Sequence, residues 1–116
     1  MPTQNDMIEV LRLAEGAGVK LVVQFRAPDG WMERPITPET LAKCIATGHS
    51  APAAAVGVTD AEYAEWVENN GSIQCIAKTR AGKRCRCFVP GTHYRDALAW
   101  KAANDAGGYC GIHGDA

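Results

Sequence analysis

Four side chains in the last third of the chain, Cys75, Cys85, Cys110 and His113, constrain its fold more than any other feature. Zinc takes four thiolate or imidazole ligands at the corners of a tetrahedron, and such ligands usually come as close pairs on turns. Cys110-Gly111-Ile112-His113 supplies one pair at a two-residue gap, and Gly108 and Gly111 leave the backbone room to wrap an ion. Cys75 and Cys85 are separated by nine residues, too many for a simple knuckle. Ser72-Ile73-Gln74-Cys75-Ile76 reads as a strand, however, and Arg84-Cys85-Arg86 as the start of its return beyond a Thr79-Arg80-Ala81-Gly82 turn. A hairpin brings its two arms together, so this gap suits a second pair. Cys87, two residues past Cys85, is the alternative ligand for one of the four.

The 116 residues allow one domain with a modest core. Met1-Pro2-Thr3-Gln4-Asn5-Asp6 has neither a basic start nor an apolar stretch, and no run approaches the length of a membrane span. The expectation is a cytoplasmic protein, the host cytoplasm if the chain is phage-encoded, with reduced thiols. There, five cysteines read as ligands, core residues or reactive groups rather than as disulfides. Cys44 lies on the apolar face of an expected helix and reads as core. His49 and His93 stand alone and read as surface or capping residues.

Along the chain, an Asp6–Glu9 capping box opens a helix with Ile8, Leu11 and Ala14 on one face, stopped by Gly16 and Gly18. Val19, Leu21, Val23 and Phe25 alternate as a strand with one buried face. Ala27-Pro28-Asp29-Gly30 turns the chain into a second strand, Trp31 to Ile36. Thr37 caps a helix with Pro38 at its first position, Leu41, Cys44 and Ile45 inward, and Gly48 at its end. Residues 48–58 read as a loop. Thr59 and Glu62 cap a helix that groups Tyr63, Trp66 and Val67 and stops at Asn69-Asn70-Gly71. Thr92 caps a last helix over 94–104. The class is α+β: a small helix and hairpin domain with a C-terminal zinc-bound hairpin and helix. It is one domain over 1–116, with an acidic part, 1–71, and a zinc-binding part, 72–116.

Cys75-Ile76-Ala77-Lys78-Thr79-Arg80-Ala81-Gly82-Lys83-Arg84-Cys85 resembles the C-x-A-K-T-x-x-G-x-x-C segment of small zinc-binding proteins of bacteriophages and mobile elements. Gly107-Gly108-Tyr109-Cys110-Gly111-Ile112-His113-Gly114 is similar to the G-x-x-C-x-x-H-G segment that follows it there. The resemblance covers residues 75–114 and implies Cys75, Cys85, Cys110 and His113 as the ligands of a structural zinc. The connection between the two halves is longer here and takes in the last helix. The motif ends in His113-Gly114-Asp115, where some relatives carry a second glycine.

Charge is divided. Residues 1–74 carry five Lys/Arg against ten Asp/Glu, and residues 75–116 carry seven against three, balances of −5 and +4 within a net −1. With four protein ligands a zinc ion has no open position, so the site reads as a scaffold. Glu33 and Asp115 have no spacing that marks a general base, and His93 is the only histidine near the motif for nuclease chemistry. The expectation is a non-enzymatic protein-binding module. Its concrete form is a phage accessory protein that inhibits a host defence system, anti-CRISPR-like, by binding a host protein or ribonucleoprotein through acidic residues such as Glu33, Glu39, Glu62, Glu65 and Glu68. The alternative is a nucleic-acid-binding zinc module acting in phage or mobile-element DNA transactions through Lys78, Arg80, Lys83, Arg84 and Arg86.

Overall fold

The computed structural model describes residues 2–114, and Asp115 lies outside the described residues. Helix α1, Gln4–Gly16, begins at Thr3: its hydroxyl accepts from the Asp6 N–H, and the Asp6 carboxylate accepts from the Thr3 N–H. The capping box therefore sits three residues ahead of the expected Asp6–Glu9 pair, because Thr3 and Asp6 offer the same spacing with a hydroxyl in the capping place. Past the helix, the Val19 N–H turns back to the Ala14 carbonyl at 3.0 Å. That bond makes Val19 part of the helix end and leaves it exposed, so β1 is Val22–Ala27 rather than a strand from residue 19.

β1 pairs antiparallel with β2, Gly30–Pro35, with Phe25 opposite Met32. Pro28 and Asp29 form the connection, with Asp29 in the left-handed region (φ 69°). Proline presets the first of these positions, and aspartate tolerates the second better than most residues. Helix α2, Pro38–Thr47, has the expected Thr37 cap, Pro38 start and left-handed Gly48. It buries Pro38, Ala42 and Cys44, while Ile45 is exposed rather than inward.

Residues 48–58 are not a loop throughout. Ala51–Val56 forms helix α3, with the Ser50 hydroxyl accepting from the Ala53 N–H and left-handed Gly57 closing it. Alanine has the highest helix propensity, and Ala51, Ala53, Ala54 and Ala55 are four of the six residues of this short element. Helix α4, Asp60–Glu68, has the expected Thr59–Glu62 capping box. Helix α5, Ala97–Ala106, is capped by Asp96, not Thr92. The Tyr94 N–H is held by the Gly71 carbonyl, and the Tyr94 carbonyl accepts from the Trp66 indole, so residue 94 cannot enter the helix. Thr92 instead accepts from the Ile73 N–H and donates to the Val89 carbonyl.

The main core joins Phe25, Ala27, Ala53, Val58, Trp66, Ile73, Ala97 and Trp100. Both tryptophans are fully buried, and each indole N–H has a carbonyl partner: Tyr94 at 2.8 Å for Trp66, and Ser72 at 3.0 Å for Trp100. Satisfied N–H groups let these large rings fill the core without a desolvation penalty. The result is the expected α+β arrangement of helices and an antiparallel hairpin. The molecule is long, at 58 × 25 × 18 Å, with a radius of gyration of 18.2 Å. A compact chain of about 100 residues has a radius near 13 Å. No helix among the described residues is long and apolar enough to cross a membrane.

Candidate metal centre

Residues 73–89 form an irregular hairpin. The Cys75 N–H donates to the Cys87 carbonyl, Cys85 to Ala77, Val89 to Ile73, and Thr79 to Lys83, at 2.7–2.8 Å. These bonds keep one register from root to tip, yet only two isolated bridges arise, Gln74 with Phe88 and Lys78 with Arg84. The expected regular strand at 72–76 is absent because other partners take its backbone groups. The Ile76 N–H goes to the Gly108 carbonyl, bringing the C-terminal tail against the hairpin. The Arg84 guanidinium donates to the carbonyls of Cys75 and Gln74, and the Gln74 amide to that of Cys85.

The ligand atoms of Cys75, Cys85, Cys110 and His113 lie within 4.8 Å of one another. His113 Nδ1 is 3.2 Å from the Cys110 sulfur and 3.4 Å from that of Cys75, and the Cys85 and Cys110 sulfurs are 3.9 Å apart. Zn–S bonds of about 2.3 Å and a Zn–N bond of about 2.0 Å on a tetrahedron place two sulfurs about 3.8 Å apart, and a sulfur and a nitrogen about 3.5 Å apart. These three separations are close to those edge lengths, so the cluster is one that could hold a metal ion. The three cysteines are buried with Ala77 in a small core of their own, and His113 is half-buried.

Each sulfur also meets the backbone N–H two residues downstream: Ala77 for Cys75, Cys87 for Cys85 and Ile112 for Cys110. Such donors stabilise a thiolate. For Cys75, burial pushes the thiol up, but N–H groups of Cys110 and Ala77, with His113, bring it below its ordinary value. For Cys110, burial is likewise outweighed by the N–H groups of His113 and Ile112. Cys85 goes the other way: the Cys87 N–H lowers it, but burial and the neighbouring sulfurs push it up to about 11. Three thiolates crowded without a cation repel one another, and a bound divalent ion removes that conflict.

Cys87 is exposed and outside the group of four, so its contribution is its backbone N–H. Cys44 is buried, as its place in α2 implies. His49 and His93 lie away from the cluster, paired with Asp60 and Asp29. Of the five basic residues, Lys78, Arg80, Lys83 and Arg86 are exposed and make no ion pair among the described residues. Arg84 differs: it braces the hairpin carbonyls and approaches Glu65 at 4.0 Å. Neither Arg84 nor Gln74 was legible as a support, since only the folded register brings them to those carbonyls. Several acidic residues are likewise engaged internally, Glu39 with Arg12 and Glu62 with Lys101, while Glu33 and Glu68 make no ion pair among the described residues.

No protein-family model matches the chain, and no curated protein or solved structure is significantly similar to it.

Proposed function

We propose that this chain is a non-catalytic binding module, held together by a structural zinc ion and directed at a protein. Three thiolates and an imidazole at tetrahedral spacing are the donor set that zinc prefers, and a full set of four leaves no position for a reactive water. The observation that carries the protein-binding reading is helix α1, which has no buried residue. Val10 is 63% exposed and Leu13 69%. Isolated helices of this length are marginal in water, and a helix normally gains its stability by burying an apolar face. Apolar grooves flank α1 on two sides. One, of about 720 Å³, is formed by α1 and its cap alone, with Ile8, Leu13 and Ala17 beside Asn5, Glu9 and Arg12, and one of about 250 Å³ is lined by Met7, Val10, Leu11 and Ile45 among others. An amphipathic segment of a partner protein suits such grooves.

The internal pairing of Glu39, Glu62 and Glu65 moves the proposed contact surface from the acidic residues to this apolar face. The motif over 75–114 supports a phage or mobile-element origin. A concrete role is then inhibition of a host defence system, anti-CRISPR-like, by docking on a host protein or ribonucleoprotein in the host cytoplasm. The test is affinity capture from bacterial lysate with the zinc-loaded chain and with a Val10→Glu/Leu13→Glu variant. A specific protein held by the first and lost by the second supports the reading; equal capture by both, or no captured protein, refutes it.

A further inference from the structure

The metal centre uses one side of the 73–89 hairpin, and the other side presents an arrangement that it does not need. The bridges Gln74–Phe88 and Lys78–Arg84, with the bonds between them in the same register, put Ile76 opposite Arg86. Residues paired across such a bridge point to the same side, so Phe88 lies beside Gln74 and Lys78 beside Arg84, while Cys75 and Cys85 belong to the metal side. Ile76, between the bridges, packs against Gly107 of the tail. Phe88 is 46% exposed and Ile76 44%. Lys78 and Arg86 lie two residues along the chain from Ile76 and Phe88, and Arg80 and Lys83 flank the tip, all four exposed and without an ion pair among the described residues.

We propose that this face binds single-stranded nucleic acid, with Phe88 as the stacking residue and Lys78, Arg86, Arg80 and Lys83 as phosphate contacts. The charge alone would attract any polyanion. The exposed ring set among cations selects for unpaired bases, because a duplex hides their flat faces while a single strand offers them to an aromatic side chain. Stacking reads no sequence, so DNA and RNA are both ligands, and the fold-stabilising metal keeps the platform rigid. Arg84 is excluded from the contacts because its guanidinium is committed to the Cys75 and Gln74 carbonyls. The inference does not rest on the α1 surface, and each fails or holds without the other.

The experiment is fluorescence anisotropy of the zinc-loaded full chain with labelled oligo(dT), oligo(U), a duplex of the same length, and polyphosphate as a competitor without bases. Binding to both single strands, weaker to the duplex and falling steeply with salt, is expected. Phe88→Ala should weaken single-strand binding on the order of tenfold, and Phe88→Trp should restore it. Lys78→Ala/Arg86→Ala should weaken binding and flatten its salt dependence. Zinc content measured on every variant separates a lost contact from a lost fold; Phe88→Trp and the double variant provide the reading if Phe88→Ala loses zinc. Absence of binding at low salt, a duplex bound as tightly as the single strands, or insensitivity to both Phe88→Ala and Lys78→Ala/Arg86→Ala would overturn the proposal.

Discussion

Gly71 sits where α4 ends and the hairpin begins, and the chain there has no room for a side chain. Its φ is +79°, and a Cβ would fall 2.4 Å from the Tyr94 carbonyl oxygen and 2.9 Å from the Tyr94 nitrogen. The close approach is used: the Tyr94 N–H donates to the Gly71 carbonyl at 2.8 Å, and the Gly71 N–H to the Trp66 carbonyl at 2.9 Å. The obstacle is backbone, so no rotamer change relieves it. Gly71→Ala should cost roughly 3 kcal/mol or more, from left-handed strain and overpacking together, read as a lower urea midpoint. Cysteines 85 and 87 make the complementary case, in which two like residues two positions apart have different jobs. Cys85→Ser should weaken zinc affinity roughly a hundredfold or more, because it removes a ligand. Cys87→Ser retains the backbone N–H that faces the Cys85 sulfur, so zinc stoichiometry by elemental analysis should stay at one ion per chain.

At the scale of elements, helices α4 and α5 are tied by an ion pair that can be titrated. Lys101 Nζ lies 2.7 Å from Glu62 Oε2 and 3.2 Å from Asp105 Oδ2. The Lys101 bond, and then the Thr59 N–H, hold the Glu62 carboxyl below its ordinary value. A carboxylate with a depressed folded value stabilises the fold above its unfolded value, about 4.3, and that contribution disappears as pH falls through the lower folded one. Glu62→Gln retains the reach of the capping-box side chain while removing the charge. Wild type should therefore exceed Glu62→Gln in urea midpoint at pH 7, and the difference should vanish toward pH 3. A difference unchanged by acid would show that the pair contributes nothing. The same elements show what a sequence reveals. Thr37-Pro38, Thr59-x-x-Glu62 and the Gly48 stop act through neighbours in the chain, so α2 and α4 are legible. Helix α3 is short, and its alanines carry no polar period, so the residues alone carry no helix signal there. The start of α5 depends on Tyr94 being held by Gly71 and Trp66, contacts made across more than 20 residues, and no local signal reports them. For the metal site, the four ligands are visible as residue types, but only the folded hairpin separates Cys85 from Cys87.

Among the described residues, two clusters of buried side chains meet at the root of one hairpin. Ile73 belongs to the tryptophan core and Cys75, two residues on, to the metal core. The first is assembled from apolar side chains, three of them aromatic, and none of its residues belongs to the ligand cluster. The second consists of three cysteines and an alanine, too little apolar surface to hold a hairpin and a tail together, so on the proposed zinc reading metal binding supplies its folding free energy. Chelation should therefore act on one end of the long axis rather than on all of it. Without metal, the Ile76 N–H loses the Gly108 carbonyl as the tail departs, and the Cys85 and Thr79 N–H groups lose theirs as the hairpin opens. The Trp66 indole N–H, bonded to the Tyr94 carbonyl inside the apolar core, keeps its partner. Hydrogen exchange followed by NMR should show Ile76, Thr79 and Cys85 amides exchanging freely after chelation, the Trp66 indole still protected, and all three amides protected again when zinc is returned. Equal loss at Trp66 would make the ion the keystone of both cores. Unchanged protection at Cys85 would mean that the hairpin stands by its own hydrogen bonds, and that the cluster of sulfurs is a consequence of the fold rather than its support.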